Sequence, residues 1–239
     1  MPRKIRGSTG GICCHVLNRG NGCAEVFHGP GDYQEFVNLL PLACERINMR
    51  LLGWCLMPNH FHLLVRPYAD GDLARWMQWL MTSHVRRHHK RYGTSGHIWG
   101  GRFKSFPLQR RRPTSAERGE GVIETADPFW TVLRYIERNA LRANLVEHAE
   151  DWPWSSLRWW AFPSEAPQWA KADCPQRPAQ WLEMVNKPQT KEELEALRCS
   201  VIRGRPFGAQ GWVQRTAKAF GLEHTIRPLG RPPMIQKQD

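Results

Sequence analysis

Four short segments in the N-terminal half of the chain have the pattern of β-strands. These segments are residues 12–19, 51–56, 61–67 and 102–109. The first alternates loosely between hydrophobic and polar residues and is bounded by glycines, and the second and third are largely apolar runs of strand length. A tight turn at residues 57–59 is expected to join the second strand to the third.

Apolar residues at helical spacing predict helices between and after these strands. Asp32, followed three residues later by Glu35, has the pattern of a capping box and places the start of the first helix. Pro41 falls inside this helix and predicts a kink or a break. The second helix is expected to begin near Asp72, and Asp127, followed directly by a proline, predicts the start of the third.

The order of these elements is strand, helix, strand, strand, helix, strand, as in the split βαβ arrangement of ferredoxin-like folds. The predicted fold class is α+β, an antiparallel sheet covered by helices on one face, with a helical C-terminal extension. Residues 1–160 are predicted to form one domain, 161–188 a proline-rich linker, and 189–239 a basic extension in which Thr190 opens a helix. Residues 110–126 lack periodicity and are expected to form a mobile loop.

The distribution of charge adds a prediction about partners. The chain carries 34 Lys and Arg against 22 Asp and Glu, a formal net charge of +12. From His84 to Arg112 there are nine basic residues and no carboxylate, and a second basic patch lies in residues 201–239. This pattern favours a polyanion as the partner. The longest apolar run, residues 51–57, is far too short to cross a membrane, so nucleic acid is favoured over a membrane.

The cysteines and the N-terminus bear on the compartment. The seven cysteines are odd in number and form no CxxC pair, so neither a disulfide framework nor a thiolate zinc site is expected. The first residues lack the apolar core of a signal peptide. Both features predict a protein of the reducing cytoplasm.

Two short patterns offer candidate chemistry. His60 and His62 flank Phe61 on the predicted third strand, so the two imidazoles share one face. They can bind one metal ion, but two structural histidines fit the pattern equally well. Tyr135 and Asn139 are four residues apart and share the polar face of the third helix. Asn139 offers a carbonyl oxygen as a third ligand, and Tyr135 is either a nucleophile or a packing residue.

Three further groups leave alternatives open. His84 and His88 are four residues apart in a basic cluster, for which phosphate contact is favoured over metal binding. Trp159 and Trp160 either stack on unpaired bases or pack within the protein. Lys104 on the fourth strand either approaches the site or is solvated.

Several motifs in order along the chain carry a resemblance. Residues 57–65 read MPNHFHLLV and contain a His-hydrophobe-His motif that looks like that of HUH single-strand nucleases. Further stretches are VLNRGNG at 16–22, WMQWL at 76–80, GTSGHIWGGRFKSFP at 93–107, YIERNALRANLV at 135–146, WPWSSLR at 152–158 and GRPFG at 204–208. On these residues the chain resembles the REP-associated tyrosine transposases, which are relatives of the single-tyrosine insertion-sequence transposases. Ala140 departs from the pattern, which usually has proline there.

The resemblance implies a transesterification on single-stranded or hairpin-forming repeat DNA in the bacterial nucleoid. Tyr135 would be the nucleophile and would leave a 5′-phosphotyrosine and a free 3′-hydroxyl, while His60, His62 and Asn139 would hold Mg²⁺ or Mn²⁺. A non-catalytic nucleic-acid-binding regulator of the same fold is the alternative, and both monomer and homodimer stay open. The basic residues expected to contact DNA are Arg19, Arg86, Arg87, Lys90, Arg91, Arg102, Lys104, Arg138, Arg142, Arg203, Arg205 and Arg231.

Overall fold

A four-stranded sheet forms the centre of the structure, a computed structural model that describes residues 9–110, 127–172 and 175–227. The strands β1 to β4 are Cys14–Arg19, Met49–Met57, His60–Pro67 and Lys104–Pro107. Their order across the sheet is β2-β3-β1-β4, and every neighbouring pair is antiparallel. This is the split βαβ topology, so the predicted ferredoxin-like α+β fold is confirmed.

The helices of the described ranges are numbered α1 to α10. They are Pro30–Arg46, Asp72–Tyr92, Pro128–Glu137, Asn139–Arg142, Ser156–Ala161, Gln168–Ala172, Trp181–Asn186, Lys191–Arg203, Gln210–Ala219 and Glu223–Ile226. The predicted start of α2 at Asp72 is confirmed, as is that of α3, where the Asp127 side chain accepts a hydrogen bond of 2.9 Å from the Phe129 N–H. Within these ranges, no helix combines the length and the apolar character needed to cross a membrane.

Helix α1 differs from its prediction at Asp32 and does not have a break at Pro41. It begins at Pro30, and Asp32 is not the capping residue. Asp32 instead accepts hydrogen bonds from the His28 N–H (2.8 Å) and the Tyr92 hydroxyl (2.7 Å) and pairs with Arg91. The helix also runs through Pro41 without a break. The buried side chains on either side of the proline hold both halves against the core, which offsets the cost of about 3 kcal/mol for a proline in a helix interior.

Both faces of the sheet are covered, which corrects the expectation of helices on one face only. On the first face, α1 and α2 pack around Phe61, with Phe36 and Trp76 fully buried. On the second face, α3 packs Leu133 against β2. Gly53 permits this approach, because a Cβ at that position would lie 2.4 Å from Leu133 Cδ1.

The stretch predicted as a linker, residues 161–188, contains α6 and α7 and is packed against α3. Glu137 of α3 is fully buried and accepts hydrogen bonds from the Ser156 hydroxyl (2.6 Å) and the Trp181 indole N–H (2.7 Å). Its carboxylate also pairs with Arg177, whose side chain is fully buried. Residues of this stretch therefore contribute to the buried core, while the division of the chain into two domains and a linker stays a prediction.

The C-terminal extension is attached to the edge of the sheet. The predicted start of α8 is confirmed, since Thr190 and Glu193 form a reciprocal capping box. Beyond α8, the Phe207 N–H donates to the Pro107 carbonyl and the Gln109 N–H donates to the Phe207 carbonyl, both at 2.9 Å. This bridge satisfies backbone groups beside the edge strand β4. The predicted mobile loop lies, apart from its first residue, outside the described residues.

The buried pair of Glu137 and Arg177 yields a stability prediction. Glu137→Gln removes the carboxylate that pairs with the buried Arg177 guanidinium, so we expect the free energy of unfolding to fall by about 3–5 kcal/mol. Urea unfolding followed by tryptophan fluorescence measures the change. The double variant Glu137→Gln and Arg177→Met also removes the buried guanidinium and is expected to recover part of the loss. A single variant within 1 kcal/mol of the parent, roughly the effect of a neutral hydrogen bond, would contradict the prediction.

Candidate active site

A cleft of about 640 Å³ opens at the end of the sheet where β1 ends and β3 begins. Its walls come from β1, β3, α3, α4 and the last turn of α8, which contributes Val201 and Ile202. The functional side chains that line it include Asn18, Arg19, His60, His62, Arg102, Lys104, Tyr135, Asn139 and Arg142. The structure therefore brings together the four residues proposed as nucleophile and metal ligands.

The two histidines of β3 share one face, as the alternation predicts. The ring centroids of His60 and His62 are 5.0 Å apart, and the rings are nearly perpendicular, at 86°. Phe61 between them is fully buried on the opposite face against Phe36. Both imidazoles thus belong to the cleft.

Hydrogen bonds indicate which nitrogen of His60 is free. The Asn59 side-chain nitrogen donates to the Cys23 carbonyl at 3.0 Å, which turns the Asn59 oxygen toward His60. This oxygen lies 2.6 Å from His60 Nδ1 and can only accept, so Nδ1 carries the hydrogen. The lone pair of His60 is therefore on Nε2.

His62 has a buried partner that the sequence patterns did not single out. His15 of β1 is fully buried, and its Nε2 lies 2.9 Å from His62 Nδ1, with the two rings stacked. His15 alternates with Leu17 and Arg19 on the cleft face of β1, and Leu17 is paired with His62 in the sheet register. The available signal was a histidine on the cleft face of the neighbouring strand, two residues before Leu17, the register partner of His62.

The surroundings keep these imidazoles neutral. Burial lowers the pKa of His60 to about 4, and the charges of Arg19 and Arg142 act in the same direction. Burial also lowers the pKa of His62 well below its usual value, with His15 and His60 contributing. Burial lowers the pKa of His15 to about 3. A neutral imidazole has the free lone pair that a metal ligand requires.

Tyr135 and Asn139 face the histidines from α3 and α4. The Tyr135 ring centroid lies 5.8 Å from that of His62. The Asn139 side-chain nitrogen donates to the carbonyls of Tyr135 (2.9 Å) and Ile136 (3.1 Å), so its oxygen points away from the helix backbone. This oxygen accepts a hydrogen bond from Arg142, whose guanidinium carbon lies 4.2 Å from the Tyr135 ring centroid.

The basic residues predicted to contact DNA separate into several groups. Arg19, Arg102, Lys104 and Arg142 line the cleft, and among the described residues no carboxylate does so. Lys104 lines the cleft and is also exposed to solvent, so its role at the site stays a prediction. The last two turns of α2 carry Arg86, Arg87, Lys90 and Arg91.

The remaining members of that set lie elsewhere. Arg138 donates to the carbonyls of Val185 (2.7 Å) and Asn186 (2.5 Å) and does not line the cleft, so its contact with DNA stays a prediction. Arg203 donates to the His224 carbonyl at 3.3 Å. Arg205, half-buried, is likewise not part of the cleft lining. Arg231 lies outside the described residues.

Two of the other candidate groups pack inside the protein. His84 and His88 are buried, and His84 contacts the rings of Phe36 and Trp99, so the favoured phosphate contact is wrong for this pair. Trp159 packs edge to face on Trp54, with centroids 4.9 Å apart, and Trp160 lies near the Arg177 guanidinium, which favours the packing alternative for both.

The side chains present can be compared with what a metal ion requires. In the described ranges, no cluster of three or more His, Cys, Asp or Glu residues has the arrangement of a metal site. The cleft instead offers two neutral imidazoles and one amide oxygen, from His60, His62 and Asn139. This donor set fits a divalent ion, provided that the Asn139 oxygen is released by Arg142.

Comparisons with known proteins agree with the motifs. Residues 9–117, just under half of the chain, match the family model described as "Transposase IS200 like". A putative REP-associated tyrosine transposase of Haemophilus influenzae is 28% identical over 138 residues, covering 53% of this chain and 69% of the relative. The resemblance to REP-associated tyrosine transposases is confirmed.

A solved structure is also similar to this chain. It is described as a REP-associated tyrosine transposase bound to a REP hairpin, is 18% identical, and gives a TM-score of 0.48 over 75% of this chain and 93% of the other. The match to the family model ends at residue 117, which precedes Tyr135 and Asn139 in the chain. The roles of these two residues therefore depend on the local geometry.

The buried histidines generate a prediction about pH. Burial lowers the pKa of His84 to about 3, whereas the unfolded chain takes up this proton near the usual 6.5. The stabilising effect of a neutral His84 is complete above pH 6.5 and is lost as the pH falls toward 3. When the pH falls from 7 to 5.5, the free energy of unfolding of the parent should fall by about 1 kcal/mol more than that of His84→Phe. Denaturant unfolding in the presence of a chelator measures both changes. Equal losses would contradict the assignment of a neutral, buried imidazole.

Proposed function

We propose that this chain is a metal-dependent endonuclease and strand transferase for single-stranded DNA, in which Tyr135 forms a 5′-phosphotyrosine intermediate. The observation that carries the proposal is the position of Tyr135, whose ring lies 5.8 Å from the His62 ring in a cleft that also contains His60 and Asn139. A tyrosine next to two neutral histidines and an amide has the neighbours that phosphoryl transfer requires.

The charge of the cleft supports DNA as the substrate. The cleft is lined by four cations, Arg19, Arg102, Lys104 and Arg142, and among the described residues no carboxylate lines it. These cations repel one another, and an incoming phosphodiester attracts all of them. We infer single-stranded or hairpin-forming repeat DNA as the form bound, in keeping with the resemblance to REP-associated transposases. Such a substrate would place the protein at the nucleoid of a bacterial cell.

We infer that the cofactor is Mg²⁺ or Mn²⁺. The Nε2 lone pair of His60, an imidazole nitrogen of His62 and the amide oxygen of Asn139 would hold the ion. Oxygen from the amide and from phosphate favours these hard cations over zinc. When bound, the ion would polarise a non-bridging phosphate oxygen and offset the charge that develops there.

The residues of the chain account for the remaining chemistry. The Tyr135 hydroxyl gives up its proton and its oxygen attacks phosphorus, so that a P–O bond to tyrosine forms and the bond from phosphorus to the 3′-oxygen breaks. The 3′-oxygen takes up a proton and leaves as a hydroxyl. Because the phosphodiester energy is kept in the tyrosine link, another 3′-hydroxyl can reverse the step and join two strands. Arg142, beside the Tyr135 ring, is placed to stabilise the charge on the phosphate during attack.

The test is to incubate the protein with hairpin-bearing single-stranded DNA and Mn²⁺ and to look for a protein–DNA adduct that survives denaturation. The parent should form it and Tyr135→Phe should not. Tyr68→Phe is the matched control, because Tyr68 is 62% exposed and does not line the cleft; it should retain the adduct. The nuclease assignment is falsified if Tyr135→Phe forms the adduct as the parent does. Binding without cleavage by any variant would support the regulator instead.

A second prediction concerns His15 as a positioning residue. For His62 to use Nε2 as a ligand, its Nδ1 must carry the hydrogen and donate to His15 Nε2. His15→Leu removes the acceptor and should weaken Mn²⁺ binding by about 10–100-fold, measured by the electron paramagnetic resonance of free Mn²⁺. His15→Gln keeps an acceptor oxygen and should recover much of the affinity. Equal affinities for the Leu variant and the parent would rule out this role, and His84→Leu controls for the loss of a buried histidine.

A further inference from the structure

One guanidinium, that of Arg142, connects two groups of the candidate site. Its Nη2 donates to the Asn139 oxygen, and its central carbon lies 4.2 Å from the Tyr135 ring centroid. Its Nη1 is buried and has no hydrogen-bond partner in the described part of the chain. A buried charged donor without an acceptor is costly, so this nitrogen is placed to receive an anionic oxygen.

The contact with Asn139 has a consequence for metal binding. The amide nitrogen of Asn139 is committed to the carbonyls of Tyr135 and Ile136, so the side chain cannot turn without losing two hydrogen bonds. Only its oxygen is available as a ligand, and Arg142 occupies this oxygen. Two cations repel each other at such short range, so the Arg142 contact disfavours a divalent ion on the same oxygen.

We propose that Arg142 exchanges between the Asn139 oxygen and a phosphate of bound DNA, and that metal and DNA therefore bind cooperatively. The proposal rests on the function proposed above, in which Asn139 is a metal ligand. A guanidinium binds a phosphate through two parallel N–H groups, which would use Nη2 and the unpartnered Nη1 together. When Arg142 moves to the phosphate, the Asn139 oxygen is released and the phosphate neutralises the charge of Arg142.

The electrostatics of the cleft favour the same coupling. The candidate ligands are all uncharged, while Arg19, Arg102, Lys104 and Arg142 line the cleft without a carboxylate among the described residues. Without DNA, these cations repel a divalent ion from the cleft. A phosphate that is bound in the cleft attracts the ion. Thermodynamic reciprocity requires that DNA raises the metal affinity by the same factor by which the metal raises the DNA affinity.

The experiment measures Mn²⁺ binding by electron paramagnetic resonance in the Tyr135→Phe background, which prevents cleavage. The titration is done without DNA and with a saturating hairpin-bearing oligonucleotide, whose own Mn²⁺ binding is subtracted. We expect the oligonucleotide to tighten Mn²⁺ binding by at least about fivefold. Arg142→Met should tighten Mn²⁺ binding by the DNA-free protein and reduce the enhancement by DNA.

Lys104→Met is the matched control, because it also removes a cation from the cleft. In the described part of the chain, Lys104 makes no hydrogen bond to Asn139. It should change the DNA-free affinity less than Arg142→Met and keep most of the enhancement. Arg142→Lys retains the charge but loses the planar fork, so it should shift both quantities in the same direction as Arg142→Met. It also replaces Arg142→Met if circular dichroism shows that the methionine variant is unfolded.

The exchange is wrong if Arg142→Met and Lys104→Met bind Mn²⁺ alone equally well, or if the enhancement by DNA is the same in both. Failure of the proposed function gives a different result. If Asn139→Ala leaves Mn²⁺ binding of the Arg142→Met protein unchanged, Asn139 is not a ligand. The adduct assay with the parent protein tests Tyr135 independently of either outcome.

Discussion

The burial of both faces of the sheet determines the chemistry available in the cleft. Alternation along β3 sends Phe61 into the layer of α1 and α2 and turns His62 toward α3. Burial on this second face disfavours a second proton on an imidazole that has no counter-charge. Among the described residues, no carboxylate is hydrogen-bonded to His15 or His62. The lone pairs that would bind a metal thus follow from the packing that stabilises the fold.

The rotation of α3 decides which of its residues reach the cleft. Glu137 points away from it and is held by Ser156, Arg177 and Trp181, while Tyr135 lines the cleft. One side of α3 is therefore anchored by a buried ion pair, and the opposite side carries the candidate nucleophile. Because Arg177 and Trp181 come from the stretch predicted as a linker, that stretch positions the candidate nucleophile.

Local sequence patterns were sufficient for the strands, for the start of α2 and α3, and for the common face of His60 and His62, because these features depend on residues close in sequence. Partners from distant segments were not predictable in this way. Arg138 and Arg142 are both basic and four residues apart, yet Arg138 binds carbonyls of residues 185 and 186, and Arg142 binds Asn139. Asp32 likewise has the sequence pattern of a cap, but its partners Tyr92 and Arg91 come from α2.

The use of carboxylates elsewhere in the protein explains why the cleft is so strongly cationic. Glu137 is committed to Arg177, and Asp32 is committed to Arg91, so these acids stabilise packing and compensate no charge in the cleft. The C-terminal extension closes the cleft with Val201 and Ile202, and Ile202 is 71% exposed. These apolar side chains add no counter-charge to the cleft, so the attraction of its cations for an incoming phosphate is not reduced on this side. The extension therefore forms part of the candidate site itself, in addition to any contact with DNA outside it.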